Sequence, residues 1–254
     1  MRIGAQGFTI REFAQNEADL RVTAKKLKDI GFKSLQVSAF GPIAPEVIRE
    51  ICDENGLEIL VTHTNPQRIL EDTAGVIAEH KILGCKHVGI GMMPEQYRGS
   101  LAGMRAFLAD YGKAADALFD AGMKLHYHNH GFEYEKYDGK CLIDWMAEET
   151  DPEKWGFILD VYWTQFGGRS PVRQIEELAG RIDVIHFKDM KMNFHEQRFA
   201  AVMDGNLDFD GILEACRETG ITRAMIEQDD CYGRDPFDEL ALSAKNLIEM
   251  GCVF

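Results

Sequence analysis

The sequence has no long apolar run and no excess of positive charge. No stretch approaches the roughly 20 consecutive apolar residues that a helix needs to cross a bilayer, so we expect no membrane span. Asp and Glu outnumber Lys and Arg by 42 to 28, which gives a net charge of −14 at pH 7. Because phosphate contacts require a basic surface, this balance argues against nucleic acid as a partner.

The sequence also lacks closely spaced cysteine pairs. Its six cysteines are scattered along 254 residues, a pattern typical of reduced core thiols rather than of a disulfide framework. The segment Met1–Gly4 opens directly into a strand-like run, without the charged segment, apolar stretch and cleavage site of a secretory signal. We therefore expect a cytoplasmic protein.

Short apolar runs alternate with longer amphipathic stretches from one end of the chain to the other. Several of the short runs are almost continuously apolar, as expected when both faces of a parallel sheet are covered. The eight predicted strands are Arg2–Phe8, Ser34–Phe40, Glu58–Thr64, His87–Met93, Lys124–His130, Phe157–Trp163, Asp183–Asp189 and Arg223–Gln228.

The stretches between the strands have the features of helices. Three of them end at or near Gly31, Gly56 and Gly122, and glycine supplies the left-handed residue that closes a helix. No glycine-rich phosphate turn follows the first strand, which disfavours a doubly wound open sheet. Eight alternating units in this length favour an α/β fold, a (β/α)8 TIM barrel, and we predict a single domain over residues 1–254.

In such a barrel the carboxyl ends of the strands form the active site. The first four predicted strands carry little there that titrates, whereas the last four are rich in potential ligands. Asp, His and Glu at neighbouring strand ends point to a divalent metal in a mixed oxygen–nitrogen site. A lone Asp is usually a helix cap and a lone His a core residue, so the prediction depends on the cluster. Its members are His128, Glu133, Asp160, His186 and Glu227.

Five segments of the chain resemble the sugar phosphate isomerase/epimerase family, which belongs to the xylose isomerase-like TIM barrel superfamily. They are HYHNHGFEY, ILDVYW, VIHFKDMK, GNLDFDGI and AMIEQDD. The resemblance implies a metal held by Glu from strand five, Asp from strand six, His from strand seven and Glu from strand eight. Asp160, His186 and Glu227 match the last three. At the strand-five position this chain has His128, or Tyr127 after a one-residue gap, and the nearest carboxylate is Glu133.

The resemblance implies a metal-dependent isomerase or epimerase of a sugar, keto-sugar or sugar phosphate, which transfers a proton through a metal-stabilised enediolate. Glu227 is then one catalytic base, and the second is Glu133 or the imidazole of His128 or His130. If none of these reaches the opposite face of the substrate, one-sided chemistry is favoured. That chemistry is aldose–ketose isomerisation, or β-elimination by a keto-sugar or keto-inositol lyase or dehydratase.

Further residues are predicted to contact the substrate. Lys188 is a candidate catalytic residue that can hydrogen-bond a substrate oxygen or phosphate, and the alternative is a surface pair with Asp189. The segment 191–210 is long enough to be a loop over the site. The alternative for His63 is a structural role in a turn, and the alternative for Trp163 is to form part of the wall of the barrel mouth. The predicted substrate-binding residues are His63, His130, Trp163 and Arg198.

The cofactor is predicted to be one divalent ion, and Mn, Mg, Co and Zn all accept Asp, Glu and His ligands. A small-molecule sugar is the expected partner, and the resemblance also allows a homo-oligomer. A non-catalytic sugar-binding barrel is an alternative because the fourth Glu is missing. An endonuclease IV-like repair enzyme is another, disfavoured by the −14 charge and by only eight histidines.

Overall fold

Eight parallel strands close into a barrel in the computed structural model, which describes residues 1–254. Each strand pairs with its neighbours in chain order, and the first strand pairs with the last. The predicted (β/α)8 TIM barrel is therefore confirmed. The strands are β1 Arg2–Gln6, β2 Ser34–Val37, β3 Glu58–Thr64, β4 His87–Ile90, β5 Lys124–His128, β6 Trp155–Asp160, β7 Ile182–Phe187 and β8 Arg223–Ile226.

All eight predicted strands are present, but most end earlier than predicted. Residues after β1 form a 3₁₀ helix at Gly7–Phe13 instead of continuing the strand. After β6, the side chain of Asp160 caps a helix that begins at Val161. The predicted strands ran too far because apolar residues continue past the last ladder hydrogen bond and line the barrel mouth.

Ten α-helices surround the barrel. Gly56 and Gly84 have φ of 67° and 68°, the left-handed conformation that closes a helix at low cost only with glycine. The predicted stop at Gly56 is thus confirmed. The helices are α1 Glu17–Ile30, α2 Pro45–Asn55, α3 Pro66–Glu71, α4 Thr73–Leu83, α5 Leu101–Asp120, α6 Leu142–Glu148, α7 Val161–Phe166, α8 Pro171–Glu177, α9 Phe209–Glu218 and α10 Pro236–Glu249. None is both long and apolar enough to cross a bilayer.

The apolar side chains form two clusters. The larger has 59 buried residues and joins the helices to the strands. The smaller has five residues, from strands β3, β6, β7 and β8. Close packing between strands leaves no room at Gly89, where an added Cβ would lie 2.2 Å from the carbonyl oxygen of Thr62. The filled barrel holds the strand ends rigidly, which fixes the side chains at its mouth.

The segment after β7 is not the loop that we predicted. It folds into an antiparallel hairpin of Asp189–Asn193 and Glu196–Ala200, which we call the mouth hairpin. The carboxylate of Asp189 is buried and accepts hydrogen bonds from the backbone N–H groups of Met203, Gly205 and Leu207. This anchor holds the chain in a defined conformation. The alternative role of Lys188, a surface pair with Asp189, is also wrong, since both residues are buried.

Candidate active site

Four buried polar side chains converge at the carboxyl ends of strands β5 to β8. Each offers one ligand atom, and these four atoms lie within 4.8 Å of one another. We call this group the four-residue cluster; it consists of His128, Asp160, His186 and Glu227. It contains the three predicted ligands that match the family pattern. The fourth member is the strand-five histidine.

The hydrogen bonds of His128 leave one ring nitrogen free to act as a ligand. Its Nδ1 lies 3.0 Å from the carbonyl oxygen of Gly91, and a carbonyl can only accept, so Nδ1 carries the hydrogen. Its Nε2 lies 3.4 Å from Oδ2 of Asp160, and both of these buried atoms lack a hydrogen-bond partner. Burial opposes protonation of this imidazole, but the Asp160 carboxylate raises the pKa of His128 above its ordinary value. A proton or a metal ion can occupy the space between the two atoms.

His186 is oriented in a similar way. Its Nε2 donates to the amide oxygen of Gln36 at 2.7 Å, so that Nδ1 faces Oε2 of Glu227 at 2.9 Å. The other carboxylate oxygen of Glu227 accepts from the amide of Gln6 at 3.0 Å. Metal-ligating histidines usually donate their second ring N–H to an oxygen in this manner, which fixes the tautomer. The two glutamines come from β1, which pairs with β8, and from the next strand, β2.

Asp160 combines a structural and a functional role. Its Oδ1 accepts from the backbone N–H of Trp163 at 3.0 Å and caps α7. Its Oδ2 is the buried oxygen that faces His128. A carboxylate has two oxygens, so the cap leaves one available for a ligand role.

The cluster fits a divalent metal. Metal–ligand bonds of about 2.0–2.2 Å place any two donors on one ion at most about 4.4 Å apart, so atoms within 4.8 Å need only small shifts. Two imidazole nitrogens and two carboxylate oxygens are a donor set that Zn²⁺, Mn²⁺ and Co²⁺ accept. The orphaned Oδ2 of Asp160 and Nε2 of His128 would both gain a partner.

Lys188 lies beside the cluster as a buried cation. Its Nζ donates to Oδ2 of Asp229 at 2.7 Å and lies 3.6 Å from both Asp160 Oδ2 and Glu227 Oε2. The rings of Trp163 and Phe199 are each 5.1 Å from this ammonium group. Burial lowers the pKa of Lys188, but the surrounding carboxylates raise this pKa by a larger amount, so the net shift is upward. The side chain is therefore a fixed positive charge.

A cavity of about 670 Å³ opens onto the cluster. Of the predicted substrate-binding residues, His63, His130 and Trp163 line it together with Lys188. His63 Nδ1 lies 3.2 Å from the hydroxyl of Ser38. Burial lowers the pKa of His130 to about 2 and that of His63 well below its ordinary value. Both imidazoles are therefore neutral near pH 7.

A second cavity, of about 720 Å³, lies around Arg169 on the outside of the barrel and contains no member of the cluster. Its arginine is already paired with Asp144 and Glu177. Size alone would favour this cavity, but its charged groups neutralise each other. The smaller cavity, next to the cluster, contains five buried polar atoms without a hydrogen-bond partner, whereas the larger one contains only Nε of Arg169.

Two predicted site residues lie elsewhere. Glu133 is fully buried behind the cavity, where it accepts hydrogen bonds from the hydroxyl of Tyr127 and the backbone N–H of His130. It belongs to no ligand group and does not line the cavity. Burial raises the pKa of Glu133 to about 7. Its contact with a residue of the cavity wall is the hydrogen bond from the backbone N–H of His130.

Arg198 points away from the cavity. In the mouth hairpin its guanidinium pairs with Glu196 at 2.9 Å and lies 5.0 Å from the ring of Tyr232. The neighbouring Phe199 faces Lys188, and successive side chains of a strand point to opposite faces, so Arg198 lies on the outer face of the hairpin. The structure therefore does not support the predicted contact between Arg198 and the substrate.

Asp229 was missed as a site residue. It lines the cavity, its Oδ2 receives the hydrogen bond from Lys188, and its buried Oδ1 has no partner. Burial and the Glu227 carboxylate raise the pKa of Asp229 to about 6. The signal was its spacing: a residue two positions after Glu227 continues on the same side of an extended chain.

Comparisons with known proteins agree with this architecture. A family profile described as "Xylose isomerase-like TIM barrel" matches residues 24–245. A sugar phosphate isomerase/epimerase from Parabacteroides distasonis superposes with a TM-score of 0.82 at 23% identity, covering 97% of this chain and 93% of that one. A second such structure from the same organism has a TM-score of 0.81 at 25% identity and covers 98% of both chains.

Among curated relatives, an inosose dehydratase from Lacticaseibacillus casei is 28% identical over 155 residues, which covers 54% of this chain and 51% of the relative. The chain thus spans about half the length of the curated relatives that it matches. The sequence likeness to a dehydratase and the structural likeness to isomerase/epimerases leave two reaction types to be weighed.

Proposed function

Since the chain belongs to the xylose isomerase-like TIM barrel family, we propose that it is a metal-dependent isomerase or epimerase of a sugar or keto-sugar. The reaction moves a proton at the carbon next to the substrate carbonyl. The observation that carries this proposal is the convergence of the four-residue cluster next to a cavity of about 670 Å³. We propose as well that residues 1–254 act as one domain, because β1 pairs with β8 and Arg2 pairs with Val253.

We assign the metal to the four-residue cluster. His128 would bind through Nε2 and His186 through Nδ1, because their other ring nitrogens are committed to Gly91 and Gln36. The ion supplies positive charge beside the substrate oxygens, which favours removal of the neighbouring proton. Its identity is a choice among Mn, Mg, Co and Zn.

We assign proton removal to Glu227. Burial alone would protonate this carboxylate, but Lys188 and His186 hold the pKa of Glu227 well below its ordinary range. It is therefore ionised near pH 7 and lines the cavity. Gln6 fixes its other oxygen, which limits the carboxylate to one orientation. A positioned general base of this kind contributes about 10²–10⁴-fold to a rate.

The position of Glu133 favours one-sided chemistry. Two-sided epimerisation needs a second base on the opposite face of the substrate carbon, and Glu133 is engaged by Tyr127 and the backbone of His130. The neutral ring of His130 is the remaining candidate, with its buried Nδ1 unpartnered. Aldose–ketose isomerisation, in which Glu227 removes the proton and returns it to the adjacent carbon, is thus the leading reaction.

Dehydration of a keto-sugar or keto-inositol is the second candidate. The likeness to inosose dehydratases favours it, as does a histidine at the strand-five position. Glu227 would remove the same proton, and a hydroxide ion would leave from the neighbouring carbon, so that the products are one water molecule and an unsaturated ketone. Both reactions use one base on one face.

An assay in D₂O tests the proposal. Mn²⁺-loaded protein is incubated with a panel of aldoses, ketoses and keto-inositols, and products are analysed by NMR and mass spectrometry. Isomerisation yields an isomer that carries deuterium, whereas dehydration yields a product that is one water lighter. Activity that survives complete removal of metal, or an absence of any exchange over the panel, would contradict the proposal. The Asp160→Asn variant serves as a control of matched shape.

A further inference from the structure

We propose that Asp229 binds a substrate hydroxyl and restricts the cavity to uncharged polyhydroxy carbonyl compounds, so that sugar phosphates are poor ligands. This inference deepens the proposed function and rests on it, because it takes the cavity next to the four-residue cluster as the substrate site. It assigns a specificity role to a residue outside the metal ligands.

The two oxygens of Asp229 have different surroundings. Oδ2 accepts from Lys188 at 2.7 Å, which fixes the carboxylate in place. Oδ1 is buried within the cavity wall and has no hydrogen-bond partner. A buried carboxylate oxygen without a donor is costly. A substrate hydroxyl would supply the missing donor, and hydrogen bonds to charged groups are stronger than neutral ones.

Apart from Nε2 of His128, which belongs to the four-residue cluster, the other unpartnered atoms of the cavity are uncharged. They belong to His63, His130 and Trp163, whose Nε2, Nδ1 and Nε1 atoms are buried without a hydrogen bond. The indole N–H is a donor only, and a neutral imidazole has one donor and one acceptor nitrogen. Such groups suit the hydroxyls of a sugar, each of which both donates and accepts.

The charges at the cavity oppose a phosphate group. One ammonium, on Lys188, faces three carboxylates, those of Asp160, Glu227 and Asp229. A divalent ion in the four-residue cluster would balance the remaining negative charge and leave no surplus for a phosphate dianion. Like charges at short range in a partly buried site repel strongly.

The nearest arginines do not alter this balance. The guanidinium of Arg11 donates to the carbonyl oxygens of Phe8 at 2.7 Å and of Asp229 at 3.1 Å, and that of Arg98 to the carbonyl oxygen of Met93 at 2.6 Å. Neither arginine lines the cavity. The short helix α3 begins beside it, but Pro66 at its first position has no N–H to donate.

Calorimetry on the Mn²⁺-loaded protein tests the proposal. The probes are D-fructose, D-ribulose and a keto-inositol, each compared with its phosphate ester. We expect at least one uncharged probe to bind, and its ester to bind at least about 10-fold more weakly. Asp229→Asn should weaken the best uncharged probe by about 10-fold to 100-fold. In this variant the Kd values of the uncharged probe and its ester should also differ less than they do in the wild type. Loss of structure alone would weaken both ligands and leave the ratio of their Kd values unchanged.

Asp230→Asn is the matched control. This neighbouring carboxylate is exposed and lies outside the cavity, so the variant has the same charge change and should bind the probe within about twofold of the wild type.

The proposal is overturned if an ester binds as tightly as its parent sugar, if no uncharged probe binds, or if Asp229→Asn binds like Asp230→Asn. Binding of uncharged probes without deuterium exchange would contradict the proposed function and leave the role of Asp229 intact. Deuterium exchange seen only with phosphate esters would support the proposed function and contradict the role of Asp229.

Discussion

Nε2 of His128 and Oδ2 of Asp160 lie 3.4 Å apart, and neither atom has another hydrogen-bond partner. Because Nδ1 of the same ring is committed to Gly91, only a proton or a cation can join the imidazole to the carboxylate. The pair therefore links metal binding to pH.

Metal affinity should fall as the pH is lowered. The metal and a proton compete for Nε2 of His128, whose pKa is raised by Asp160, so the loss begins at a pH above the ordinary histidine value of about 6.5. Well below that raised pKa, we expect the apparent affinity to fall about 10-fold per pH unit. Titration of Mn²⁺ between pH 5.5 and 9 measures this. A flat profile over that range would show that His128 does not bind the ion.

The amide of Gln36 should support metal binding indirectly. Its oxygen accepts from Nε2 of His186, and loss of such a partner costs about 10–100-fold in metal affinity. Gln36→Leu should show this loss by competition with a fluorescent chelator. Gln174→Leu is the control, because this buried glutamine has no partner at either amide atom and lies outside the four-residue cluster. Equal affinities in the two variants would rule out the orienting role.

The chain should bind one ion tightly, and the four-residue cluster should be the site. A second group of potential ligands, His87, His126 and Asp183, lies at the amino-terminal ends of the strands. There the ammonium of Lys124 already lies 2.8 Å from Oδ2 of Asp183, so a cation has little to gain. Metal analysis should give one ion in wild type and Asp183→Asn, and none in Asp160→Asn. Two ions in the wild type would contradict this assignment.

Glu133 should affect stability more than catalysis. Burial raises its pKa to about 7 from an ordinary value of about 4.5, so the folded state binds more protons than the unfolded state between these two pH values. This group therefore contributes about 3 kcal/mol to the free energy of unfolding at low pH, and the contribution is lost as the pH rises through about 7. Urea unfolding of wild type and Glu133→Gln from pH 4.5 to 8 should show a drop in stability that is about 3 kcal/mol larger in the wild type than in the variant. A kcat reduced more than about 100-fold in the variant would instead restore the base role.

The fold could be predicted because each strand has a local signal. An apolar run, a following amphipathic stretch and a glycine stop recur along the chain, and eight repeats fix the barrel. The strand ends could not be placed as well. Residues such as Val161 remain apolar although they already belong to a helix, so hydrophobicity alone does not mark the last ladder bond.

The site could be predicted only where strand ends determine direction. Asp160, His186 and Glu227 lie at the carboxyl ends of β6, β7 and β8, so the barrel brings them together. Glu133 lies five residues after His128, and sequence distance does not reveal that a turn directs it towards Tyr127. Lys188 is adjacent to Asp189 in sequence, but its partner Asp229 follows another strand, β8. Such long-range pairings become visible only in the folded structure.

Anomalous diffraction from a crystal soaked in Mn²⁺ tests the central claim most directly. The account predicts one strong peak within about 2.0–2.3 Å of Nε2 of His128, Oδ2 of Asp160, Nδ1 of His186 and a carboxylate oxygen of Glu227. A crystal soaked in Mn²⁺ that shows no peak among these four side chains would contradict the account. So would a crystal whose only peak lies beside His87 and Asp183.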